Sequence, residues 1–581
     1  MRYFNGADSF SVILAAIISI GIVQDRLSAA SCPCDIFATG GTPCVAAHST
    51  VRALYSAYNG PLYQVSRLSE AEAAALSGTA AVATDHTGYT GTGFVAGFIS
   101  STTAQVLFTI TAPSAGQYSV QLRYSAGNGA SSNTGLFVNG TQITTLSCPA
   151  TASWDTWATV TQTVTLNAGS NTIAFKAVTS STACINLDNI TIQIDIYPLT
   201  PGGIANAATQ DAFLGTGAGT ISEIYDQSGK ANHLKRSQGG GQVCMHVDQE
   251  AVANALPFWL GGHRVYGIKV ISDNNGGCTP PAGGEGTGYR LDKITGIATG
   301  DQAETEYMIT SGTYQSYQNS GCCFDYGNVE TNDIDDGAAT MEAIYFGGGA
   351  GWGHGGGSGP WVMADMENGI FSGSTNAYTG NTSVPYPYVT AVLIGRSGGT
   401  YALLAGNAQS GALTTMYDGA RPSGYTVMKK QGAITLGTGG DNSDHGMGYF
   451  YEGVMTSGAA TVATMNLVQA NIVAAKYGDS TLPVSVRHEV ENAAAGSPFA
   501  VRYIPSNGSA VISYTLQGAR RVSVNIFDQR GKRIAEIVNG GIPAGRHEAV
   551  WNTKQIPTGV YIWRLAIDGR DGGAGKIVVG K

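Results

Sequence analysis

Residues 158–178 read ATVTQTVTLNAGSNTIAFKAV, two runs in which apolar and polar residues alternate, joined by the turn NAG. A period of two places successive side chains on opposite faces of an extended chain, so each run predicts a half-buried β-strand. The pattern recurs in AQVLFTITAP at 104–113 and in INLDNITIQI at 185–194. Such strands, separated by short turns, predict a small antiparallel β-sandwich.

The composition of the whole chain also favours strands over helices. Of 581 residues, 81 are glycine and only 12% are charged, which suits short strands joined by tight turns. A chain of this length exceeds one ordinary core, so we expect several domains and an all-β fold class. The formal net charge of −9 provides no basic surface, and we expect no nucleic-acid partner.

The first residues have the features of an export signal. Arg2 precedes the apolar run FSVILAAIISIGIV at 10–23, and small residues lie just before Cys32. This run is shorter than the roughly 20 residues that a membrane-spanning helix needs. The sequence predicts a signal peptide over 1–31, no transmembrane span in the mature chain, and a protein that is secreted or held at a bacterial cell surface. In an alternative interpretation, Cys32 is a lipidated first residue.

The chain has nine cysteines, and export to an oxidising environment predicts disulfides rather than metal ligands. Cys34 and Cys44 flank a turn-rich loop that a bridge would close. Two further candidate pairs are Cys148 with Cys184 and Cys244 with Cys278. Because nine is odd, Cys32 is the candidate for the unpaired thiol.

The alternating strands interrupt a different, glycine-rich kind of sequence that precedes and follows them, as though a surface loop had accepted an insertion. The predicted units after the signal peptide are a main domain in two parts (32–67 and 195–480), an inserted module (68–194), a linker (481–497) and a C-terminal β-sandwich (498–581).

The inserted module opens with EAEAAALSG at 70–78 and closes with NLDNITI at 186–192. These motifs resemble the carbohydrate-binding modules of families 6 and 35. The resemblance implies a structural calcium held by oxygen ligands, which hard cations prefer. The implied calcium ligands are Glu70, Glu72 and Asp188. The implied sugar-binding residues are Tyr89, one of Trp154 or Trp157, and Asn186. Alternatively, these aromatic side chains belong to the core.

The C-terminal segment contains the strand-like runs VSVNIFD at 522–528 and VYIWRLAID at 560–568, separated by turns such as IPTG. It resembles the immunoglobulin-like sorting domains of some bacterial surface and secreted proteins. The resemblance implies a bacterial source and a partnership with export or cell-surface machinery.

Two stretches of the main domain carry candidate catalytic carboxylates. In GPWVMADMENGIFSG at 359–373, a period of two places Asp365 and Glu367 on one face, with Trp361 and Met363, and leaves the other face for the core. Asp441 lies in the turn GGDNS. Glycosidases need an acid and a base or nucleophile across one bond, and Glu367 with Asp441 is such a pair. Alternatively, Asp365 and Glu367 lie on the solvent-exposed side of a sheet, and Asp441 belongs to a simple Asx turn.

Longer motifs connect these stretches to a known family. They are CDIFATGGTPCVAAHSTVRALY at 34–55, GCCFDYGNVETN at 321–332, WGHGGGSGPWVMADMENGIFSG at 352–373 and GGDNSD at 439–444. They resemble the catalytic domain of glycoside hydrolase family 54, the α-L-arabinofuranosidases. The resemblance implies a jelly-roll-like β-sandwich, no cofactor for catalysis, and a retaining mechanism. Arabinose-containing plant cell-wall polysaccharides are the implied substrates.

The same resemblance assigns roles to residues. It implies that Glu367 is the nucleophile and Asp441 the general acid/base, with carboxyl groups roughly 5–5.5 Å apart. It implies a disulfide between the neighbouring Cys322 and Cys323 that forms a flat surface for the sugar. The other implied substrate contacts are Trp352, Asp365, Asn368 and Gly440.

The sequence thus predicts an exported, exo-acting α-L-arabinofuranosidase that removes side groups from arabinoxylan or arabinan. Two alternatives stay open, a non-catalytic surface carbohydrate-binding protein and a glycosidase with related furanoside or β-xyloside specificity. Linkage preference does not follow from sequence, because the orientation of one hydroxyl is read by very fine placement of side chains.

Overall fold

The computed structural model describes residues 32–98, 102–178, 185–239, 247–272, 286–315, 322–348, 351–443, 446–480, 499–504, 509–516, 518–528, 532–553, 556–557 and 559–579. The predicted signal peptide (1–31) and the predicted linker (481–497) lie outside these ranges, as do Cys184, Cys244 and Cys278.

Strands dominate the described chain, which confirms the all-β prediction. The helices are α1 (Pro33–Thr39), α2 (Ala207–Leu214) and α3 (Val462–Ala474). The strands up to residue 196 are β1 (Cys44–Ser49), β2 (Tyr63–Glu70), β3 (Ala75–Ser77), β4 (Ala81–Ala83), β5 (Phe94–Ala96), β6 (Gln105–Ala112), β7 (Gly116–Ser125), β8 (Ser132–Val138), β9 (Thr141–Cys148), β10 (Ala158–Leu166), β11 (Gly169–Lys176) and β12 (Asn186–Ile196). Among all the residues that the structure describes, no helix is long and apolar enough to cross a membrane.

The strands of the following region are β13 (Thr220–Ile224), β14 (Leu234–Arg236), β15 (Pro257–Leu260), β16 (His263–Tyr266), β17 (Ile268–Val270), β18 (Tyr289–Leu291), β19 (Glu304–Thr310), β20 (Asp325–Val329), β21 (Glu342–Gly347), β22 (Trp361–Asp365), β23 (Ile370–Phe371), β24 (Val389–Arg396), β25 (Thr400–Asn407), β26 (Ser410–Ala420), β27 (Ala433–Leu436), β28 (Gly448–Phe450) and β29 (Glu452–Ser457). The C-terminal strands are β30 (Phe499–Ile504), β31 (Ser509–Leu516), β32 (Arg520–Asp528), β33 (Arg533–Ile542), β34 (Gly545–Asn552), β35 (Gly559–Ile567) and β36 (Arg570–Val579).

Two sheets packed face to face form the main domain. One has six strands in the order β1-β29-β19-β24-β25-β26, and the other contains β14-β18-β27-β20-β21-β22-β23. Strand β21 contacts β24 and strand β22 contacts β25, so the second sheet lies across the first. Every residue of β19, β20, β21 and β22 is buried, because each of these strands is covered on both faces. The predicted β-sandwich is confirmed, and its central strands end at the candidate site.

The region between 68 and 194 forms a second pair of sheets. A five-stranded sheet has the order β3-β6-β11-β8-β9, and β10, β7 and β12 form the opposing layer. Burial alternates along β6 from Gln105 to Ala112, as the alternating sequence predicts for a strand with one wet face.

A continuous sheet joins this region to the main domain. Strand β12 pairs with β7 along one edge and with β2 along the other, with Thr191 opposite Leu68 and Ile194 opposite Val65. Strand β2 then pairs with β13, which continues into the main domain. The predicted boundaries near 67 and 194 therefore lie inside paired strands, and an inserted module stays a prediction.

The disulfide prediction is confirmed in part. Cys34 and Cys44 are bonded, with a Cα–Cα distance of 5.6 Å, and tie α1 to the start of β1. Cys32 is free, as expected of the unpaired thiol. Cys148 is a free thiol at the end of β9, and its predicted partner Cys184 lies outside the described residues. The Cys148 side chain lies in the core of its sandwich, where a thiol packs as a small apolar group, and burial raises its pKa to about 12.

A buried ion pair joins the first and last parts of the main domain. The Arg52 guanidinium donates from Nε to Glu452 Oε2 at 2.6 Å and from Nη2 to Glu452 Oε1 at 2.7 Å. The hydroxyls of Tyr307 and Tyr477 also donate to Glu452. The charge on each partner is thus compensated inside the core.

The C-terminal residues form a separate small sandwich. One sheet has the order β30-β31-β34 and the other β33-β32-β35-β36. Trp551 and Trp563 lie in an apolar cluster that contains residues of this segment alone. The described strands agree with the predicted β-sandwich, and a sorting role stays a prediction.

Candidate active site

The candidate nucleophile lies at the tip of a hairpin. Met366 N–H donates to the carbonyl oxygen of Gly369 at 3.1 Å, which leaves Glu367 and Asn368 as the two central residues of the turn between β22 and β23. Their φ angles are 59° and 57°, the pattern of a type I′ turn. The predicted strand alternation therefore ends at Asp365, and the turn, not the strand, sets the direction of Glu367.

Glutamate rarely adopts this backbone conformation, which costs about 1–3 kcal/mol and persists where surrounding contacts impose it. Here Tyr425 Oη donates to the Glu367 carbonyl oxygen at 3.0 Å, and Glu367 N–H donates to Asp365 Oδ1 at 3.2 Å. Asn368 Nδ2 donates to Asp335 Oδ1 at 2.9 Å. The turn is held on both sides, and Glu367 is only 8% exposed.

A disulfide and a carboxylate form one wall of the site. Cys322 and Cys323 are bonded to each other. Asp365 Oδ2 lies 3.3 Å from Cys323 Sγ and 3.6 Å from Cys322 Sγ. Within the described residues, this trio is the one group with metal-ligand proximity, but sulfurs bonded to each other are not thiolate ligands.

The two faces of β22 differ as the sequence predicts. Trp361 and Met363 pack with Cys323 in a small apolar cluster beside the site. Val362, Ala364 and Met366 belong instead to the main core. The hairpin thus presents its acidic residues on the side of the disulfide.

The turn that carries Asp441 faces the hairpin. Ser443 N–H donates to Asp441 Oδ1 at 3.0 Å, so the Asx turn of the alternative interpretation does form. The preceding Gly440 lies against the nucleophile, since a Cβ built on it would overlap Glu330 Oε2 and lie 3.0 Å from Glu367 Oε2. The structure therefore brings Glu367 against the chain segment that carries Asp441.

Arg290 fixes this turn from behind. Its Nη1 donates to the carbonyl oxygens of Gly440 at 3.0 Å and Gly439 at 3.3 Å, and its Nη2 donates to the Glu330 carbonyl oxygen. Arg290 is buried, and its contacts place the Asp441 turn relative to the end of β20.

The electrostatics of the site are dominated by crowded acids. Burial, and then the charges of Glu330, Asp365, Asp441 and Asp335, raise the pKa of Glu367 to about 10. Burial also raises the pKa of Asp365 to about 8, and the charges of Glu330 and Asp441 add to this. These carboxyls cannot all be ionised together, so the site holds at least one proton near a carboxylate.

Sequence reasoning missed two buried acids of this cluster, Asp325 and Glu330. Both are shielded from solvent, and burial raises the pKa of each. After burial, the nearby charges of Asp365, Glu367 and Asp441 raise the pKa of Asp325 further. The signal was available in GCCFDYGNVETN at 321–332, where both follow the cysteine pair on one strand and its end.

Comparisons with known proteins agree with this geometry. The profile of the family described as "Alpha-L-arabinofuranosidase B, catalytic" matches residues 33–186 and 174–478. A probable α-L-arabinofuranosidase B of Aspergillus terreus is 37% identical over 507 residues, covering 86% of this chain and 73% of the relative.

The chain belongs to the α-L-arabinofuranosidase B family, glycoside hydrolase family 54.

Two further relatives of this family are informative. An "Arabinofuranosidase/B-xylosidase" of Trichoderma koningii is 37% identical over 507 residues, covering 86% of this chain and 74% of the relative. The crystal structure of an arabinofuranosidase complexed with arabinofuranosyl-α-1,2-xylobiose is 30% identical, covers 93% of this chain and 81% of that chain, and has a TM-score of 0.51. The predicted glycoside hydrolase with α-L-arabinofuranosidase activity is confirmed by family membership.

Of the substrate contacts that the family resemblance implies, Cys322, Cys323, Asp365 and Gly440 converge around Glu367. Trp352 lies between β21 and β22 and is 54% exposed. The next residue, Gly353, packs close to Met363 and Ile370 of the apolar cluster beside the site, so the backbone at Trp352 is adjacent to that cluster. Asn368 is exposed beside Glu367.

The predicted calcium ligands fit an ion only in part. Glu70 and Glu72 both approach Gly91, where a Cβ would meet their side chains. Glu72 Oε2 is buried and has no hydrogen-bond partner within the described part of the chain. Asp188, however, forms an ion pair with Arg123, which already supplies positive charge to its carboxylate. The fit is better for the two glutamates than for Asp188.

The predicted sugar-binding aromatics of the inserted module lie in one aromatic group. The ring of Phe94 is 5.7 Å from that of Tyr89 and 5.5 Å from that of Trp157. Trp154 stacks instead on His86 at 6.0 Å. Tyr89 and both indoles are partly exposed, whereas the predicted partner Asn186 is buried at the start of β12.

Proposed function

We propose that this family 54 enzyme is a retaining, exo-acting α-L-arabinofuranosidase with Glu367 as nucleophile and Asp441 as general acid/base. The observation that carries the proposal is the approach of Glu367 Oε2 to Gly440, immediately before Asp441, in a buried site walled by Asp365 and the cysteine pair. Two carboxyls from different turns on either side of one small space suit cleavage of a glycosidic bond.

In the first step, the Glu367 carboxylate attacks the anomeric carbon while the bond to the leaving oxygen breaks. The Asp441 carboxyl gives its proton to that oxygen. In the second step, the Asp441 carboxylate takes a proton from water, the water oxygen attacks the anomeric carbon, and the bond to Glu367 breaks. Two inversions give net retention of configuration.

The remaining residues would bind the sugar. Asp365 is placed to accept hydrogen bonds from a furanose hydroxyl, and the bonded sulfurs of Cys322 and Cys323 offer a polarisable wall. Trp352 and Asn368 would contact the sugar from the exposed side. The substrates that this site suits are terminal arabinofuranosyl groups of arabinoxylan or arabinan.

The test is hydrolysis of 4-nitrophenyl α-L-arabinofuranoside, with proton NMR identifying the anomer that is released first. We expect retention in the wild type and loss of at least 10³-fold in kcat for Glu367→Gln, because the covalent step needs a nucleophile. Azide should restore turnover to Asp441→Ala with a product of retained configuration, and to Glu367→Ala with an inverted one.

A matched control is Asp418→Asn, which removes an exposed carboxylate that pairs with Arg396. This variant should keep wild-type activity. An inverted product from the wild type would remove Glu367 from the nucleophile role. Binding of arabinan without turnover by the folded protein would favour the non-catalytic alternative.

A second specificity has support from one relative. The Trichoderma koningii protein is named both an arabinofuranosidase and a xylosidase. We therefore propose β-xylosides as a secondary substrate class, tested with 4-nitrophenyl β-D-xyloside. A kcat/KM on the xyloside equal to that on the arabinofuranoside would make the related-specificity alternative the better description.

We also propose that residues 68–194 bind carbohydrate and a structural calcium ion. The aromatic group of Tyr89 and Trp157, with Trp154 beside it, supports the first part, and the unpartnered Glu72 Oε2 supports the second. Calcium should raise the melting temperature of the wild type and have no effect on Glu72→Gln. Trp154→Ala should weaken retention on insoluble arabinoxylan without changing kcat on the soluble substrate.

Finally, we propose that the protein is secreted or displayed at a bacterial cell surface, with residues 498–581 engaging export or surface machinery. The apolar run at 10–23 and the C-terminal sandwich support this. Fractionation of cells that produce the full chain and a chain ending at 480 would test it. Equal export of both would argue against a sorting role.

A further inference from the structure

Glu330 is a buried acid that the proposed mechanism does not use. It follows β20 and is fully buried. Its Oε1 accepts a hydrogen bond from the Thr340 hydroxyl. Its Oε2 is also buried and has no hydrogen-bond partner among the residues that the structure describes. A buried oxygen without a partner costs about 1–3 kcal/mol, more if charged, so the structure needs a reason for this one.

Glu367 is the candidate partner of this oxygen. Glu330 Oε2 and Glu367 Oε2 approach the same face of Gly440, the first so closely that a Cβ would overlap it and the second at 3.0 Å from that Cβ. Because both oxygens lie beside this one position, the two carboxyl groups are close neighbours. Two ionised carboxylates have only acceptors and cannot satisfy one another, whereas one proton between them satisfies both oxygens.

We propose that Glu330 is a positioning residue that shares a single proton with Glu367 across Gly440. When the proton lies on Glu330 Oε2, its O–H donates to Glu367 and leaves that residue as the carboxylate that attacks. The transfer only moves one proton from Glu367 Oε2 to Glu330 Oε2, so no other reactant is needed. The proposal rests on Glu367 being the nucleophile, as proposed above.

Several charged groups surround this pair. Glu367 faces Glu330, Asp365, Asp441 and Asp335. Glu330 is influenced by Arg290 and hydrogen-bonded by Thr340. The acids around Glu367 oppose ionisation of both carboxyls, while Arg290 and Thr340 favour negative charge on Glu330. The balance keeps one proton on the pair over a broad pH range.

The test follows carboxylic-acid infrared absorption of the folded enzyme against pH, in difference spectra between wild type and each variant. In the wild type, losing the shared proton would leave two adjacent negative charges. In Glu330→Gln, the neighbour of Glu367 is neutral, so its proton should leave at a pH at least about one unit lower. Glu367→Gln should show the same downward shift for Glu330.

Thr340→Val should shift the pH at which the shared proton leaves in the opposite direction. It removes the hydroxyl that stabilises an ionised Glu330, so the shared proton should leave at a higher pH than in the wild type. The matched control is Glu306→Gln, which changes another buried carboxyl whose Oε2 has no hydrogen-bond partner among the described residues. It should remove a separate absorption and leave the shared proton unchanged.

Catalysis gives an independent measurement. Glutamine keeps an N–H donor toward Glu367, so Glu330→Gln should retain kcat/KM within about tenfold, whereas Glu330→Ala should lose about 100-fold. An absorption that titrates identically in wild type and Glu330→Gln would overturn the shared proton. Failure of azide to rescue Glu367→Ala would instead overturn the nucleophile assignment, so the two failures are distinguishable.

Discussion

Gly440→Ala places one methyl group between the two sides of the active site. The glycine has an ordinary backbone conformation, so alanine meets no penalty in φ, and the whole effect is steric. The new Cβ would overlap Glu330 Oε2 and lie 3.0 Å from both Glu367 Oε2 and Met341 Sδ. Glu330 cannot easily retreat, because the Thr340 hydroxyl holds its other oxygen.

The expected magnitude follows from these contacts. Overpacking of this kind destabilises a folded protein by about 1–3 kcal/mol. Relief of the overlap requires a displacement on the order of 1 Å, and a shift of this size in a reacting group costs about 100-fold in rate. A 100-fold loss of rate corresponds to about 2.7 kcal/mol of activation free energy.

The measurements are kcat/KM on 4-nitrophenyl α-L-arabinofuranoside and the free energy of unfolding from denaturant titration. Gly116→Ala is the matched control, because its Cβ has no neighbour within 4 Å and its φ is also ordinary. The control should match the wild type in both kcat/KM and the free energy of unfolding. If Gly440→Ala keeps activity within threefold of the wild type, the packing of Gly440 between the two glutamates is not what positions Glu367.

Three further outcomes are expected. Cys323→Ser removes the disulfide that lies 3.3 Å from Asp365 Oδ2, and we expect kcat/KM to fall at least tenfold while the far-ultraviolet circular dichroism spectrum is unchanged. Because the folded pKa values of Asp365 and Glu367 are raised, the folded state binds more protons than the unfolded state from about pH 4 upward. Stability should therefore fall as pH rises toward 8, and calorimetry should give a lower melting temperature at pH 8 than at pH 5. Arg52→Met leaves Glu452 buried without its cation and should cost about 3–5 kcal/mol in the free energy of unfolding, recovered in part by adding Glu452→Gln.

Much of the fold was accessible from the sequence because it depends on local periodicity. The alternation in residues 104–113 and 158–178 predicted strands, and β6, β10 and β11 lie there. Alternation does not reveal which strands pair, however. The pairing of β12 with both β7 and β2 carries one sheet through the predicted boundaries, and this register depends on residues far apart in the chain.

The candidate site likewise has features that local sequence motifs reveal and features that they do not. Glu367 and Asp441 were identified from motifs, because those motifs are local stretches of sequence. The two-residue turn that directs Glu367 was missed, since the alternating pattern of the strand continues through it and glutamate is an unusual residue for positive φ.

The sequence by itself determined the fold class, the family and the identity of the two catalytic candidates, because each is encoded by residue type and short-range order. Only the tertiary structure decided the protonation environment. Glu330 and Glu367 are 37 residues apart in the sequence and meet across Gly440 because β20 and the β22–β23 hairpin lie in one sheet. Electrostatic interaction depends on distance through space and on burial, and neither quantity exists until the chain has folded.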